Sequence, residues 1–188
     1  MIQKKLIIGL VGEIASGKGT VVDYLVNKHN ASQHKFSTSL RDLLQRLYLD
    51  VNRQNMQNIS TVLREHFSQD LLAKVIAEDV ANDNNQFIII DGVRRFSDIT
   101  YLKKLPEFKL VYVKTDIKKR YERIIERQEN TDDQFKTFEQ FQKDNQAETE
   151  QEILKVAETA DYVINNNGTM EELQQRVDEV ISNLIPKF

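Results

Sequence analysis

A glycine-rich segment directly after an apolar run is the feature that most constrains the fold of this chain. The run Leu6–Val11 predicts a buried strand, and Gly12, Gly17, Lys18 and Gly19 follow it. Glycines allow consecutive backbone N–H groups to converge on a polyphosphate. A lysine and the positive N-terminus of the next helix complete such a site. The spacing G-x-x-x-x-G-K therefore predicts a phosphate-binding P-loop.

The position after the lysine differs from that of most nucleotide switches and motors. Those proteins place Ser or Thr there to ligate magnesium, whereas this chain has Gly19 followed by Thr20. The Gly-Lys-Gly-Thr sequence resembles the nucleoside monophosphate kinases, of which adenylate kinase is the best-known type. The resemblance implies that ATP binds here. The nucleotide ligands that it implies are Gly12, Ala15, Ser16, Gly17, Lys18, Gly19 and Thr20.

The composition predicts one domain and excludes several classes of partner. A chain of 188 residues with 40% hydrophobic content can bury one substantial core, so we expect a single domain over residues 1–188. A net charge of −3 predicts no general affinity for nucleic acid or for a membrane surface. The chain has no cysteine, which excludes thiolate zinc sites and fits a cytoplasmic protein. Its first residues lead into a strand and do not resemble a signal peptide.

Strand-like and helix-like segments alternate along the whole chain. This alternation predicts an α/β protein whose parallel sheet, which we expect to have five strands, is covered by helices on both faces. Ligands of such sheets bind at the carboxyl ends of the strands. The predicted strands are 5–11, 34–36, 86–91, 109–114 and 161–165, and the predicted helices are 19–28, 40–49, 54–67, 69–81, 98–104, 117–128, 137–158 and 170–184.

Two segments after the P-loop resemble acceptor sites of monophosphate kinases. The sequence Ser37-Thr38-Ser39-Leu40-Arg41 predicts small polar residues that cap a helix and an arginine in its first turn. It is similar to the adenylate kinase segment whose arginine holds the acceptor phosphate, which implies Ser37 and Arg41 as acceptor ligands. Arg64, with Arg53 as a weaker candidate, lies in a region similar to the phage-type deoxynucleoside monophosphate kinases. We expect an acceptor-binding helical region at about residues 37–83.

The sequence Phe87-Ile88-Ile89-Ile90-Asp91 is typical of a Walker B strand, which ends in an acid. Such an acid lies near the P-loop and holds Mg²⁺ or its water ligands, so Asp91 is the predicted metal ligand, through water, and a candidate substrate contact. The segment that begins at Asp91 and continues through Arg94 and Arg95 resembles two kinase patterns, each of which has one functional arginine after an Asp-Gly pair. One selects Arg94 and the other selects Arg95, and the acid at Asp98 favours Arg94.

A basic helix follows the fourth predicted strand. Arg120, Arg123 and Arg127 are spaced by three and four residues, which places them on one helix face. Arginines on a lid that closes over both substrates neutralise the transferring phosphoryl group and exclude water. We expect a short lid at about residues 120–136, with Arg123 and Arg127 as its ligands and Arg120 as a weaker one. A solvated face paired with nearby glutamates is the alternative.

The segment from Ala160 to Thr169 is similar to the Ala-Asp-x-Val-Ile-x-Asn-x-Gly end of dephospho-CoA kinases and related nucleotide kinases. In those proteins the loop between the last strand and the last helix lies against the donor adenine. The resemblance implies Asn166 and Gly168 as nucleotide contacts. A structural strand-to-helix turn explains both residues as well.

These resemblances extend from Leu6 to about Ile181 and imply a three-layer P-loop kinase fold. The function that they favour is a nucleoside or deoxynucleoside monophosphate kinase, which uses ATP and Mg²⁺ and has Lys18, Arg94, Arg123 and Arg127 as catalytic cations. The alternative is a dephospho-CoA kinase. A GTPase switch is less favoured because of Gly19 and because no guanine-recognition motif is found. We expect a cytoplasmic monomer or homodimer with a small-molecule substrate.

Overall fold

The computed structural model describes residues 5–127, 137–146 and 148–184, and gives only the backbone of Arg127, Glu148 and Thr149. Within this part of the chain five parallel strands form one sheet in the order β2-β3-β1-β4-β5. The predicted α/β class and the five-stranded parallel sheet are therefore confirmed. The strands are β1 (Leu6–Val11), β2 (Ser32–Lys35), β3 (Phe87–Val93), β4 (Phe108–Lys114) and β5 (Tyr162–Asn165).

The helices cover both faces of the sheet. Their bounds are α1 (Lys18–His29), α2 (Phe36–Arg46), α3 (Arg53–His66), α4 (Leu71–Asn82), α5 (Phe96–Ile99), α6 (Ile117–Arg127), α7 (Phe138–Asn145), α8 (Glu148–Ala157) and α9 (Met170–Leu184), with a 3₁₀ turn at Leu102–Lys104. No helix of the described residues has the length and apolar character that a membrane span requires.

Alternate residues of the central strands face opposite layers of the core. Ile8 and Ile89 pack with the buried residues of α1 and α9, whereas Ile7 and Ile88 pack with those of α4 and α8. A strand buried on both faces needs a continuous apolar run, which explains the composition of β1 and β3. These two layers fix the carboxyl end of β1, where the glycine-rich loop begins.

Three helical segments differ from the sequence-based prediction. Helix α2 begins at Phe36, immediately after β2, so the predicted start at residue 40 is wrong. Ser37 lies inside the first turn and does not cap the helix, because β2 passes into α2 without an intervening loop. The predicted helix 98–104 consists of α5 and a 3₁₀ turn, and the predicted helix 137–158 is broken between α7 and α8.

Candidate active site

The loop between β1 and α1 has three positions at which the backbone or its neighbours favour small residues, namely Gly12, Ala15 and Gly17. Gly17 has a φ of +91°, and a β-carbon on it would lie 2.1 Å from Nδ2 of Asn166. A β-carbon on Gly12 would lie 2.6 Å from the carbonyl oxygen of Val113. Ala15 has a φ of 59°, a left-handed conformation that side chains rarely adopt. The loop therefore has the nest-like curvature that suits an anion.

Lys18 begins α1 and lies across the loop. Its ammonium donates hydrogen bonds to the carbonyl oxygen of Gly12 and, over 3.0 Å, to that of Glu13. Burial lowers the pKa of Lys18 to about 8, although the charge of Asp91 opposes this shift. An anion beside the ammonium would favour its charged form, because an opposite charge raises the pKa of a lysine.

Asp91 lies near the carboxyl end of β3, next to the loop. In the sheet it is opposite Leu10 on one side and Lys35 on the other. The register shifts between Leu10 and Val11, where Gly92 adopts a φ of +91°. Asp91 is half-buried and close enough to Lys18 for its charge to raise the pKa of that lysine. The predicted carboxylate and the predicted lysine are therefore neighbours.

Arg94 and Arg95 have different surroundings. Arg94 is exposed, and its charge contributes to lowering the pKa of Lys18. Arg95 forms an ion pair with Glu152 of α8, with Nε 3.3 Å from Oε2. Asp98 holds the turn that carries both arginines, since its Oδ2 accepts hydrogen bonds from their backbone N–H groups over 2.9 and 3.0 Å. Burial raises the pKa of Asp98 despite these two bonds.

Arg123 of α6 extends from the opposite side toward the loop. Its guanidinium donates to the carbonyl oxygen of Asn166 over 3.0 Å and to that of Ala15 over 3.5 Å. Asn166 is buried, and its Nδ2 donates to the carbonyl oxygen of Ser16 over 2.9 Å. Arg123 and Asn166, which are far apart in the sequence, are thus brought together beside the P-loop. The side chain of Arg127 and residues 128–136 of the predicted lid lie outside the described residues.

A cavity of about 130 Å³ opens between the P-loop, α6 and the start of α9. Gly168 belongs to its wall, as does Asn166 from the end of β5. A planar base could lie here against the guanidinium of Arg123, because arginine stacks on π-systems. The lining residues are Gly17, Thr20, Arg123, Asn166, Gly168, Thr169, Met170 and Leu173.

Arg120 was predicted to be a weaker lid ligand on the same helix face as Arg123, but its surroundings in the structure are those of a buried ion-pair partner. Its side chain is only 2% exposed and forms an ion pair with Glu13 of the P-loop, with Nη2 3.2 Å from Oε1. A guanidinium buried against the loop cannot at the same time form a solvated face. Glu13 was not predictable as a site residue, since nothing in the sequence pattern indicates that a residue inside the P-loop is an ion-pair partner.

The predicted acceptor residues lie on α2 and α3. Arg41 is exposed on α2, and Ser37 is half-buried in the first turn of that helix. Arg64 of α3 donates to Oγ of Ser60 and to the carbonyl oxygen of Gln69, each over 3.3 Å. Burial, and next the charge of Arg95, lower the pKa of Arg64. Arg64 is therefore near the turn after β3.

Asp91 is the group that would hold magnesium here. Mg²⁺ is usually bound by one or two carboxylates together with waters and substrate phosphates, and Asp91 lies beside Lys18 and the loop whose curvature suits phosphate. Within residues 5–127, 137–146 and 148–184 no three histidine or acidic side chains cluster as a protein-only metal cage would.

The fold is also found among solved structures. A shikimate kinase from Bacteroides thetaiotaomicron aligns with a TM-score of 0.64 and 16% identity, over 94% of this chain and 98% of its own. TT1252 from Thermus thermophilus aligns with a TM-score of 0.61 and 17% identity, over 97% of this chain and 100% of its own. This chain therefore has the P-loop kinase fold, in which a parallel sheet presents the phosphate-binding loop.

Relatives in sequence extend over almost the whole chain. A UPF0200 protein of Thermococcus kodakarensis is 28% identical over 97% of this chain and 100% of its own length. A UPF0200 protein of Sulfurisphaera tokodaii is 27% identical over 95% of this chain and 97% of its own length. The AAA_17 family, an AAA domain family, matches residues 11–142, which contain the P-loop, β3 and α6. The chain belongs to this AAA domain family.

Proposed function

We propose that this protein is a nucleoside or deoxynucleoside monophosphate kinase, which transfers the γ-phosphoryl group of ATP to a (d)NMP. The observation that carries the proposal is the convergence of Lys18, Asp91 and Arg94 at the carboxyl ends of β1 and β3. Phosphoryl transfer requires positioning and charge neutralisation more than covalent chemistry. Cations and one carboxylate around a P-loop supply both.

In this proposal the donor nucleotide lies with its base in the cavity beside Arg123 and Asn166. Its phosphates extend along the loop, where the backbone N–H groups and Lys18 bind them. Magnesium, held by Asp91 through water, would neutralise charge on the phosphate oxygens. Arg94, Arg123 and Arg127 are the proposed catalytic arginines, each of which would stabilise charge that develops on the transferred group.

The acceptor site is proposed for the helical region at about residues 37–83. Arg41 and Ser37 of α2 would bind the monophosphate, because a guanidinium matches a phosphate with two parallel hydrogen bonds. Arg64 would join them from α3, on the side of the turn that carries Arg94. We also propose that residues 1–188 form one catalytic domain with a lid at about residues 120–136, and that the protein is a cytoplasmic monomer or homodimer.

One observation favours a dephospho-CoA kinase as the second candidate. A hydroxyl acceptor is best activated by a carboxylate base, and α8 brings Glu150 to the P-loop. Oε2 of Glu150 accepts a hydrogen bond from the backbone N–H of Ile14 over 3.4 Å, and its charge raises the pKa of Lys18. Glu150 is therefore the candidate base if the acceptor is a ribose hydroxyl.

A substrate panel tests the proposal. Purified protein is incubated with ATP and Mg²⁺ and with each NMP, each dNMP or dephospho-CoA, and the products are separated by charge. We expect diphosphates from at least one monophosphate and no product from the Lys18→Ala variant, with the exposed Lys28→Ala variant as the matched control. Product from dephospho-CoA alone would replace the first candidate with the second. No product from any acceptor would reject both.

A further inference from the structure

A buried ion pair connects the P-loop to the helix that carries Arg123. Arg120 of α6 is 2% exposed and Glu13 is 5% exposed, and Nη2 of Arg120 lies 3.2 Å from Oε1 of Glu13. The other carboxylate oxygen of Glu13 accepts a hydrogen bond from the hydroxyl of Tyr112 over 2.8 Å. Both oxygens of the buried carboxylate are therefore satisfied.

The remaining donors of Arg120 extend the connection to the end of β4 and to α7. Nη1 donates to the carbonyl oxygen of Ile14 over 3.3 Å and to Oδ1 of Asn145, at the end of α7, over 2.9 Å. Nε donates to the carbonyl oxygen of Thr115 over 3.2 Å. The guanidinium also lies 5.6 Å from the ring centre of Phe141. One side chain thus joins the P-loop, the end of β4, α6 and α7.

A buried pair of this kind is a weak source of stability. Removing two charges from water costs about as much as their attraction returns, and well-packed apolar residues often do as well. Specific geometry is a better explanation for such a pair, and here the geometry acts on the P-loop. Arg120 binds the carbonyl oxygen of Ile14, and Arg123 approaches that of Ala15 over 3.5 Å.

Fixing a carbonyl oxygen also fixes the N–H group of the next residue. The peptide unit is planar and trans, so its C=O and N–H point in opposite directions. With the carbonyl oxygen of Ile14 held toward Arg120, the N–H of Ala15 must point away from α6. The N–H of Gly17 is fixed in the same way and points away from Thr115 and Asn166, which both donate to the carbonyl oxygen of Ser16 over 2.8 and 2.9 Å.

We propose that Arg120, held by Glu13, is a positioning residue that sets the direction of the P-loop N–H groups before a nucleotide binds. The ligand of those groups is the polyphosphate of a nucleoside triphosphate, so this inference rests on the proposed function. Arg120 itself lies behind the loop, and it acts through the peptide unit between Ile14 and Ala15. Its loss should weaken nucleotide binding even where the fold survives.

The test uses the full chain and measures the dissociation constant of ATP·Mg²⁺ by titration calorimetry without an acceptor. Three variants are compared, namely Arg120→Gln, Glu13→Gln and the double variant Glu13→Gln/Arg120→Gln. The single variants leave one buried charge without a partner and should lose melting temperature, whereas the double variant removes both charges. Val80→Ala, at a buried core position of α4, is the control for a loss of stability alone.

We expect the double variant to regain much of the melting temperature that each single variant loses, yet to bind ATP·Mg²⁺ at least about tenfold more weakly than the wild type. Val80→Ala should bind like the wild type at temperatures at which it is folded. A folded double variant with wild-type affinity would overturn the positioning role and leave the proposed function intact. A wild-type protein that binds no nucleotide would overturn both.

Discussion

Asn166 and Gly17 lie so close that a β-carbon on Gly17 would be 2.1 Å from Nδ2 of Asn166. The amide of Asn166 cannot move away without losing its 2.9 Å hydrogen bond to the carbonyl oxygen of Ser16. Gly17 also has a φ of +91°, which costs any other residue conformational energy. The loop between β5 and α9 and the P-loop are therefore packed directly against each other.

The first prediction is that Gly17→Ala abolishes measurable ATP binding in titration calorimetry. The new methyl group displaces Asn166 and so disturbs the wall of the cavity that we propose for the base. Gly19→Ala is the comparison, because nothing lies within 4 Å of a β-carbon at that position. It should reduce affinity far less. Equal affinities for the two variants would contradict the packing described at Gly17.

The second prediction concerns proton uptake by Lys18. Its pKa is lowered to about 8 by burial, so near pH 8 about half of the molecules carry a neutral amine before ATP binds. The polyphosphate favours the ammonium form, and binding should therefore take up about half a proton at pH 8 and more just above it. Calorimetry in two buffers of different ionisation enthalpy measures this uptake.

Lys18→Arg is the control, since an arginine stays charged throughout this range and should show no uptake. Normal binding by the wild type without proton uptake at pH 8–9 would exclude the lowered pKa. The same shift bears on stability. The unfolded chain holds its proton up to the ordinary pKa of 10.5, so the part of the unfolding free energy that depends on Lys18 should rise between about pH 8 and pH 10.5.

The third prediction tests Asp91 as the group that organises the metal shell. Asp91→Asn should lower the rate by about 10–100-fold, which is typical when a residue that orients metal ligands is lost, and should raise the half-saturating Mg²⁺ concentration. A magnesium titration of initial rates measures both effects. Asp178→Asn, which removes a carboxylate on the surface of α9, is the control. If the magnesium titration of Asp91→Asn matches that of the wild type, Asp91 has only a structural role.

The fourth prediction addresses the acceptor through Arg41. Arg41→Lys should raise the KM of the acceptor several-fold, because a point charge replaces a two-pronged donor. Arg41→Ala should cost about 1.5–3 kcal/mol in kcat/KM, the usual value of hydrogen bonds to a charged group. The affinity for ATP measured without acceptor should stay normal in both variants.

Arg46→Ala supplies the control for Arg41, since Arg46 is also exposed and lies on the same helix, α2. If Arg41→Ala has wild-type kinetics with every monophosphate, the dephospho-CoA kinase becomes the favoured function. In that case Glu150→Gln should abolish transfer to the ribose hydroxyl, and the same variant should affect a monophosphate kinase much less.

The sheet and the phosphate loop were predictable because their signals are local. An apolar run that leads into a glycine-rich turn determines a buried strand and its loop without reference to the rest of the chain. The start of α2 was not predictable in the same way, since Ser37 to Ser39 is a normal capping sequence. Only the direct passage from Lys35 of β2 into Phe36 of α2 places those residues inside the helix.

The candidate site was predictable for its chain segments but not for the partners of its arginines. Helical spacing correctly placed Arg120 and Arg123 on α6, but it could not tell a solvated guanidinium from a buried one. That difference depends on Glu13 and on α7, which pack over Arg120 through contacts distant in the sequence. The hydrogen bond of Asn166 to the carbonyl oxygen of Ser16 was likewise not predicted, because the resemblance implied Asn166 only as a nucleotide contact.

The central position of β1 in the sheet determines how slowly its amide hydrogens exchange with solvent. β1 is hydrogen-bonded on both sides, to β3 and to β4, whereas β2 and β5 each have one neighbouring strand. Edge strands exchange their amide hydrogens through small openings, but a doubly paired strand exchanges only when most of the structure is lost. The amides of Ile8 and Leu10 should therefore be among the slowest to exchange. The P-loop, which is attached to β1, should therefore keep its structure while the edge strands β2 and β5 open locally.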